Sequence, residues 1–216
     1  MCGIAGIINF SSESVNQKEK NISDLRKMSQ SISHRGNDGE GEFFNTTSNC
    51  FLAHRRLSIL DLSLSANQPM RSVNNRFFII FNGEIYNFKE IKIELEKFDI
   101  PFKTTSDTEV LLYAYQFWGK KCLQKLRGIY SFAIWDDLDK KLFAARDHLG
   151  VKPFYWFYNN NEKLFLFASE LKSILSNTNV KKNINQTSLN QYLSFYSINP
   201  PQTLIQDVFQ LEPGHY

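Results

Sequence analysis

The chain opens with MCGIAGIINF, which places a cysteine directly after the initiator methionine. Because cysteine is small, aminopeptidase can remove Met1 and leave Cys2 with a free α-amine and a free thiol on one carbon. An α-amine titrates near ~7.7–8.0 and a thiol near ~8.5, so the amine can accept the thiol proton, directly or through one water. Cys2 would then supply both nucleophile and base, and Gly3 adds little bulk beside it. The alternative is a buried first strand that happens to begin with cysteine.

A second candidate group lies in the segment FNGEIYN, residues 81–87, at the end of an apolar run. The side-chain amide of Asn82 and the backbone N–H of Gly83 can both donate to one negatively charged oxygen, and a glycine lets a ligand approach the backbone closely. These are the components of an oxyanion hole. The alternative is a tight turn, for which Asn-Gly is a favoured pair.

Three charged residues are suited to holding an amino acid. Arg56, in LAHRRLSIL, can bind an α-carboxylate through two parallel hydrogen bonds. Asp107, in TSDTE, and Glu84 can accept hydrogen bonds from an α-ammonium group. The structural alternatives are a surface ion pair for Arg56 and a helix N-cap for Asp107.

The sequence lacks the signatures of several other site classes. It contains no GxxxxGK[ST], HExxH, GxGxxG or GxSxG pattern. Its 4 histidines show no metal-ligand spacing, and its 3 cysteines are far apart without a CxxC pair. The acidic residues at 136, 137 and 139 are typical of a hairpin turn. We therefore expect no metal site and no cofactor in this chain, and a reducing compartment, the cytoplasm.

Composition excludes further classes of function. The chain has 216 residues, of which 42% are hydrophobic and 14% aromatic, enough for a buried core. A net charge of +3 without a long Lys/Arg cluster argues against a nucleic-acid partner. No apolar stretch reaches the roughly 20 residues that span a bilayer, and the N-terminus lacks the features of a signal peptide. We expect no membrane partner.

The candidate residues must be positioned by the strands and helices that the hydrophobic pattern predicts. Apolar runs predict strands over 50–60 and 76–87, and the second is apolar enough to be buried on both faces. The first predicted strand carries Arg56, and the second carries Asn82 and Gly83. These strands therefore carry three of the candidate groups.

Apolar residues in helical register predict three helices. Ser106 or Asp107 can cap the third helix at its start, and Gly119 can end it. The polar segments before and after the first helix are predicted to be loops. The predicted helices cover 22–33, 88–98 and 105–119, and the predicted loops cover 11–21 and 34–41.

Beyond residue 128 the pattern changes to hairpins. Apolar segments flank the turns DLDK and NNNE, and short helices are predicted near 169–175 and 187–194. Strands that come in hairpins favour an α+β sandwich, with helices laid over largely antiparallel sheets. The Pro-rich tail has no hydrophobic period, so we predict one domain over 1–195 and a linker over 196–216.

Nine segments occur in the order seen in class II glutamine amidotransferase domains. The chain resembles this family over nearly its whole length, and is most similar to the N-terminal domain of glutamine-hydrolysing asparagine synthetases. The segments are MCGIAG, SHRGNDGEG, LAHRRLSILD, NQPM, FNGEIYN, TSDTEVLL, LRGIYSFAIWD, ARDHLGVKPFYW and FASELKSIL.

The resemblance implies an N-terminal-nucleophile hydrolase fold, with two stacked antiparallel sheets between helical layers. It implies that Cys2 is the nucleophile and that Asn82 and Gly83 form the oxyanion hole. It also implies that Glu84 and Asp107 hold the amine of glutamine. The residues that would line the glutamine, partly through their backbone, are Arg56, Leu57, Ser58, Ile59 and Leu60.

Two positions depart from the family pattern. Asn37 stands where the family commonly has proline in RGPDG, which should loosen that loop without removing a reacting group. His148 stands where many members carry arginine, and no role is assigned to it.

Members of this family continue into a synthetase domain with an SGGxDS pyrophosphate-binding loop, which this sequence lacks. ATP and Mg²⁺ are therefore expected only in such a domain. The partners implied by the resemblance are glutamine, that synthetase domain and a second copy in a homodimer.

Three functions remain open at this point. The first is a glutaminase whose ammonia serves ATP-dependent amidation of aspartate. The second is an amidotransferase of a related branch, which aminates a sugar, a glycan or another metabolite. The third is a binding module that kept the fold and lost catalysis, against which the intact set of Cys2, Arg56, Asn82 and Asp107 argues.

Overall fold

The computed structural model describes residues 1–11 and 14–216, and its strands form two antiparallel sheets. The first sheet has the strand order β10-β8-β9-β1-β3-β2 and the second has the order β4-β5-β6-β7. The strands are β1 Gly3–Asn9, β2 Gly39–Asn45, β3 Cys50–Arg56, β4 Met70–Arg71, β5 Phe77–Ile85, β6 Gly128–Asp136, β7 Lys141–Arg146, β8 Tyr155–Asn159, β9 Leu164–Ala168 and β10 Val208–Gln210.

The two sheets pack face to face through an apolar core. Side chains alternate along a strand, so Ile4 and Ile8 of β1 point to the same face, toward the second sheet. Ile80 of β5 and Trp135 of β6 point back toward them. Fully burying a large apolar side chain stabilises the fold by roughly 1.5–3 kcal/mol, so this layer contributes strongly to stability.

Helices cover the outer face of each sheet. Leu25 and Met28 of one helix pack on Ile7 and Phe51 of the first sheet, and Leu111 and Leu95 pack under the second sheet. The resulting order of layers is helix, sheet, sheet, helix. The helices are α1 Val15–Ser31, α2 Phe88–Glu96, α3 Asp107–Trp118, α4 Leu171–Leu175 and α5 Gln186–Phe195.

This architecture confirms the α+β sandwich of two stacked antiparallel sheets between helical layers. Both hairpins predicted beyond residue 128 are present, as β6–β7 and β8–β9. Ser106 is the N-cap of α3 and accepts a hydrogen bond from the N–H of Glu109, while Asp107 is its first helical residue. Gly119 ends α3 with a φ of +55°, a conformation that favours glycine.

The predicted loop over 11–21 is wrong for most of its length. Helix α1 begins at Val15, and the N–H of Gln17 donates to the side chain of its N-cap, Ser14. The polar residues that suggested a loop lie largely on the solvent face of an amphipathic helix. Ser12 and Glu13, which the prediction also covered, lie outside the described residues.

The predicted strand over 50–60 extends beyond the C-terminal end of the observed strand, Cys50–Arg56. Strand β3 ends at Arg56, and the segment 57–60 leaves the sheet as irregular backbone. Its apolar residues, which suggested a strand, are largely exposed. The segment therefore lies in a loop at the sheet end.

The tail contains regular structure that its sequence does not predict. Residues Val208–Gln210 form strand β10, which pairs with β8 at one edge of the first sheet. Beyond it, the carbonyl oxygens of Leu211 and His215 accept hydrogen bonds from the side chain and the N–H of Arg146. The domain boundary at 195 stays a prediction, but the segment 208–215 is packed against the sandwich.

Candidate active site

The alternation of side chains along the strands brings the candidate nucleophile and the candidate oxyanion hole to one edge of the inter-sheet core. Cys2 continues the even-numbered face of β1 that carries Ile4 and Ile8. Asn82 continues the face of β5 that carries Ile80. The two faces meet between the sheets, so Cys2 and Asn82 open onto the same space.

Every residue that the sequence analysis predicted for the site lines one cavity at this edge. It lies between the end of β3, the end of β5 and the start of α3. Lys152, on the loop between β7 and β8, also lines it. Its walls are formed by Met1, Cys2, Arg56, Leu57, Ser58, Ile59, Leu60, Asp61, Ala66, Gln68, Phe81, Asn82, Gly83, Glu84, Ser106, Asp107, Thr108 and Lys152.

The thiol of Cys2 is half-buried at the floor of the cavity. The backbone N–H of Leu57 donates a hydrogen bond to its sulfur over 3.4 Å. Burial raises the pKa of the Cys2 thiol. The hydrogen bond from Leu57 and the positive charges of the Met1 α-amine and Arg56 partly offset this rise. A thiol with a raised pKa is protonated at neutral pH, so it needs a base to become a nucleophile.

Arg35 fixes the backbone of Cys2, the candidate nucleophile, a role that the sequence did not reveal. Its Nε donates to the carbonyl oxygen of Cys2 over 2.9 Å, and its Nη1 donates to Glu170 over 2.9 Å. Glycine follows it at position 36, where an added Cβ would lie 2.5 Å from the backbone of Arg56. The SHRGNDGEG segment therefore packs under the site, and its Arg-Gly pair is the signal that marks it.

The backbone N–H of Gly83 lies on the edge of β5 that faces the cavity. Strand β5 uses the N–H groups of alternate residues for pairing with β6, and Tyr86 follows this register by donating to Arg127. The other edge carries Phe81 and Ile85, whose N–H groups donate to side chains of Gln68 and Asp107. Gly83 lies between them, so its N–H points to the same edge.

Asn82 carries an unpaired donor beside this N–H. Its side chain is 1% exposed, and its Nδ2 atom has no hydrogen-bond partner among the described residues. A buried polar group without a partner is costly, and such exceptions concentrate at functional sites. A Cβ on Gly83 would lie 2.3 Å from the carbonyl oxygen of Ile129, so only glycine fits there. The pair has the composition of an oxyanion hole.

His54 joins the two sheets beside this pair and was not assigned a role from the sequence. It is buried on β3, and its Nε2 lies 3.1 Å from the carbonyl oxygen of Phe81 on β5. Because a carbonyl only accepts, Nε2 carries the proton and Nδ1 is the acceptor nitrogen. Burial lowers the pKa of His54 to about 4, so the ring is neutral at pH 7.

The loop after β3 is organised by Arg56 and Asp38. The Nη1 of Arg56 donates to the Ser63 carbonyl oxygen over 2.8 Å and to Asn67 Oδ1 over 2.7 Å, and its Nη2 donates to the Asp61 carbonyl. The N–H of Ser58 donates to the carboxylate of Asp38 over 2.7 Å. Arg56 therefore holds this loop in addition to lining the cavity.

Asp107 and Glu84 form the acidic side of the cavity. Asp107 is buried at the first turn of α3 and accepts the N–H of Ile85 over 2.9 Å. Burial raises the pKa of Asp107 to about 6, and the charge of Glu84 contributes to the rise. Two carboxylates close together in a cavity favour a cationic ligand.

The residues that the structure describes, 1–11 and 14–216, contain no cluster of three or more His, Cys, Asp or Glu side chains able to hold a metal ion. Within the same ranges, no helix is long and apolar enough to cross a membrane.

Two known proteins are similar to this chain over nearly its whole length. Asparagine synthetase [glutamine-hydrolyzing] 1 of Bacillus subtilis is 39% identical over 99% of the chain, and asparagine synthetase [glutamine-hydrolyzing] 3 of the same organism is 35% identical over 100%. The chain spans 33% and 34% of the length of these two relatives.

A solved structure shares the fold. Glutamine phosphoribosylpyrophosphate amidotransferase from B. subtilis superposes with a TM-score of 0.61 at 22% identity, over 81% of this chain and 43% of that one. Residues 1–216 match the family model described as a glutamine amidotransferase domain. The chain therefore belongs to the class II glutamine amidotransferase domain family.

Proposed function

We propose that this domain hydrolyses glutamine to glutamate and ammonia, with Cys2 as the nucleophile after removal of Met1. The observation that carries the proposal is the unpaired, buried Nδ2 of Asn82, next to the free-edge N–H of Gly83 and in one cavity with the Cys2 thiol. Two donors that have no partner among residues 1–11 and 14–216, in one cavity with a thiol, are complementary to a tetrahedral oxyanion.

The first half of the reaction forms a thioester. The α-amine of Cys2 accepts the thiol proton, and the sulfur attacks the side-chain amide carbon of glutamine. The carbonyl π electrons move to oxygen, where Asn82 and Gly83 stabilise the charge. The intermediate collapses, the C–N bond breaks, and ammonia leaves with the proton from the α-ammonium.

The second half regenerates the enzyme. The free α-amine accepts a proton from water, whose oxygen attacks the thioester carbon. The oxyanion forms again at Asn82 and Gly83, the C–S bond breaks, and glutamate leaves. Cys2 recovers its proton from the α-ammonium.

Glutamine would be held by the two charged groups on its α-carbon. Arg56 would bind the α-carboxylate with the donors that the 57–67 loop leaves free, and Glu84 and Asp107 would bind the α-ammonium. The backbone of Leu57, Ser58, Ile59 and Leu60 would line the remaining side. The support is that all these residues line one cavity.

Mass spectrometry with a glutamine-like diazoketone tests the function. The expressed chain should lack Met1 and gain one adduct that maps to Cys2, and it should release glutamate from glutamine. Cys2→Ala should gain no adduct and release no glutamate. Cys122→Ser, which changes a buried thiol, should behave as the wild type. Retained Met1, or glutamine hydrolysis by Cys2→Ala, would refute the proposal.

The ammonia would serve amidation of aspartate in a longer protein. The support is the 35–39% identity to the two asparagine synthetases of B. subtilis, whose length exceeds this chain. ATP and Mg²⁺ would act in a synthetase domain of that longer protein.

The acceptor can be identified in the longer protein with glutamine labelled in its amide nitrogen, together with ATP, Mg²⁺ and aspartate. Labelled asparagine is the expected product. Label in an amino sugar or another metabolite, with none in asparagine, would support the related amidotransferase branch instead. Location in the cytoplasm and assembly as a homodimer stay predictions.

A further inference from the structure

Lys152 lines the cavity and has no part in the function described so far. The residue is 9% exposed, and within residues 1–11 and 14–216 its Nζ atom has no hydrogen-bond or ion-pair partner. Lysines are rarely this buried without a partner. An unpaired cation in the wall of a reactive cavity calls for an anionic ligand.

The backbone of Lys152 is fixed by two buried residues of the ARDHLGVKP segment. Its N–H donates to Asp147 over 3.0 Å, and its carbonyl oxygen accepts from Nε of Arg146 over 2.7 Å. Both backbone groups are therefore occupied, and Lys152 is among the residues that line the cavity.

The same anchor connects the backbone of Lys152 to β6, the strand that pairs with β5. Asp147 also accepts the N–H of Tyr130 over 3.2 Å, and its own N–H donates to the Tyr130 carbonyl oxygen over 2.8 Å. Tyr130 is the β6 partner of Gly83 in the sheet register. Lys152 is therefore anchored beside the strand pair that carries Asn82 and Gly83, whereas Arg56 lines the cavity from the end of β3.

We propose that Lys152 is a further residue of the glutaminase reaction, whose ammonium group stabilises the oxyanion that forms at Asn82 and Gly83. This inference rests on the proposed function. Hydrogen bonds from a charged donor are roughly twice as strong as neutral ones. Because the negative charge exists only in the tetrahedral intermediate and its transition states, Lys152 acts on kcat rather than on substrate binding.

Steady-state kinetics of glutamate release test this role in the full chain. Lys152→Met should lower kcat about a hundredfold and leave KM for glutamine within about twofold. Lys152→Arg, which restores a charged donor, should recover most of the loss. The matched control is Lys182→Met, which removes a charge from an exposed lysine and should leave both constants unchanged.

A second readout separates this role from a structural one. An aldehyde analogue of glutamine forms a tetrahedral adduct with Cys2, so Lys152→Met should weaken its inhibition about as much as it lowers kcat. Alkylation of Cys2 by iodoacetamide forms no oxyanion, so its rate and pH dependence should stay as in the wild type. Slower alkylation would mean that Lys152 supports the nucleophile or the fold, and would overturn the proposal.

The remaining outcomes are also decisive. A rise in KM at unchanged kcat would make Lys152 a ligand of the substrate carboxylate, and unchanged constants would remove it from the reaction. Either result overturns this inference while Cys2-dependent hydrolysis by the wild type stands. Hydrolysis that survives in Cys2→Ala would instead refute the proposed function. If Lys152→Met fails to fold, Lys152→Gln gives the same comparison with a neutral donor.

Discussion

The sulfur of Cys2 lies 3.4 Å from the backbone nitrogen of Leu57, which donates a hydrogen bond to it. The proposed nucleophile is thus hydrogen-bonded to the first residue of the loop that lines the proposed glutamine site. This contact lowers the pKa of the Cys2 thiol, but burial outweighs it and keeps the pKa above its ordinary value. The thiol is therefore protonated at neutral pH, and its reactivity depends on the base beside it.

Blocking that base should abolish activity. An extra glycine inserted between Met1 and Cys2 moves the α-amine away from the thiol carbon, and general-base assistance contributes about 10²–10⁴-fold to rate. We expect glutamate release to fall by at least about a hundredfold, with intact mass confirming the added residue. Cys122→Ser is the control, because burial raises the pKa of that thiol to about 12 and leaves it unreactive. Full activity of the blocked form would contradict the mechanism.

Removing one oxyanion donor should lower turnover and spare binding. Asn82→Ala deletes the unpaired Nδ2, and the loss of one such donor costs roughly 2.7–4 kcal/mol of barrier. We expect kcat to fall about a hundredfold or more at nearly unchanged KM. Asn160→Ala, in the exposed turn between β8 and β9, is the matched control. Wild-type turnover in Asn82→Ala would show that the amide has no role.

Glutamine binding should weaken in mild acid. Burial raises the pKa of Asp107 to about 6, and only the ionised carboxylate attracts the α-ammonium of glutamine. We expect KM to rise as the pH falls below about 6. Asp107→Asn should have a high KM at pH 7.5 that changes little between pH 5 and 8. A wild-type KM that is flat over this range would contradict the assignment.

The same carboxyl affects stability in the opposite direction. Its pKa in the folded state lies above the ordinary value, so folding favours the protonated form. This contribution is complete below the ordinary pKa and is lost as the pH rises through about 6. The wild type should therefore gain stability relative to Asp107→Asn when urea unfolding is moved from pH 7 to pH 5.

His54 should make the domain acid-sensitive. Burial lowers its pKa to about 4, so the stability contributed by the neutral ring is present above pH 6.5 and lost as the pH falls through about 4. The gap from the ordinary value near ~6.5 corresponds to roughly 3 kcal/mol. Urea unfolding between pH 7 and 4 should show this loss in the wild type and in exposed His148→Gln. His54→Gln should lose less, and an equal pH dependence would refute the prediction.

Arg56 should hold the loop as well as the substrate. A lysine cannot reproduce its three bonds, to Ser63, Asn67 and Asp61, because one ammonium lacks the planar spread of the guanidinium. Arg56→Lys should raise KM and speed cleavage within 57–67 during limited proteolysis. Arg55→Lys is the control, because Arg55 bonds to Ser29 and Gln30, away from the cavity. Equal cleavage of both variants would contradict this role.

The sequence pattern predicted those elements of the fold whose position depends on neighbouring residues. The hairpins β6–β7 and β8–β9, the Ser106 cap and the Gly119 terminus each depend on a few adjacent residues. The strand β10 depends instead on a distant partner, because a three-residue edge strand is defined by its pairing with β8. The start of α1 has a local cap in Ser14, but its polar first turns carry almost no hydrophobic period that would distinguish them from a loop.

The same difference between local signals and distant contacts applies to the residues of the candidate site. Cys2, Asn82 and Asp107 could be proposed because their own chemistry singles them out, and the structure places them in one cavity. Arg35 and His54 could not, because their importance lies in contacts across 33 and 27 residues of chain, with the carbonyls of Cys2 and Phe81. Backbone carbonyls have no signature in sequence, so residues that act through them stay hidden.

The guanidinium of Arg146 bonds the carbonyl oxygens of Lys152 and Leu211 at once, over 2.7 and 2.6 Å. Because this group is planar, it couples the position of the segment near Leu211 to that of Lys152, which lines the cavity. The segment near Leu211 is therefore connected to the cavity wall through a single side chain.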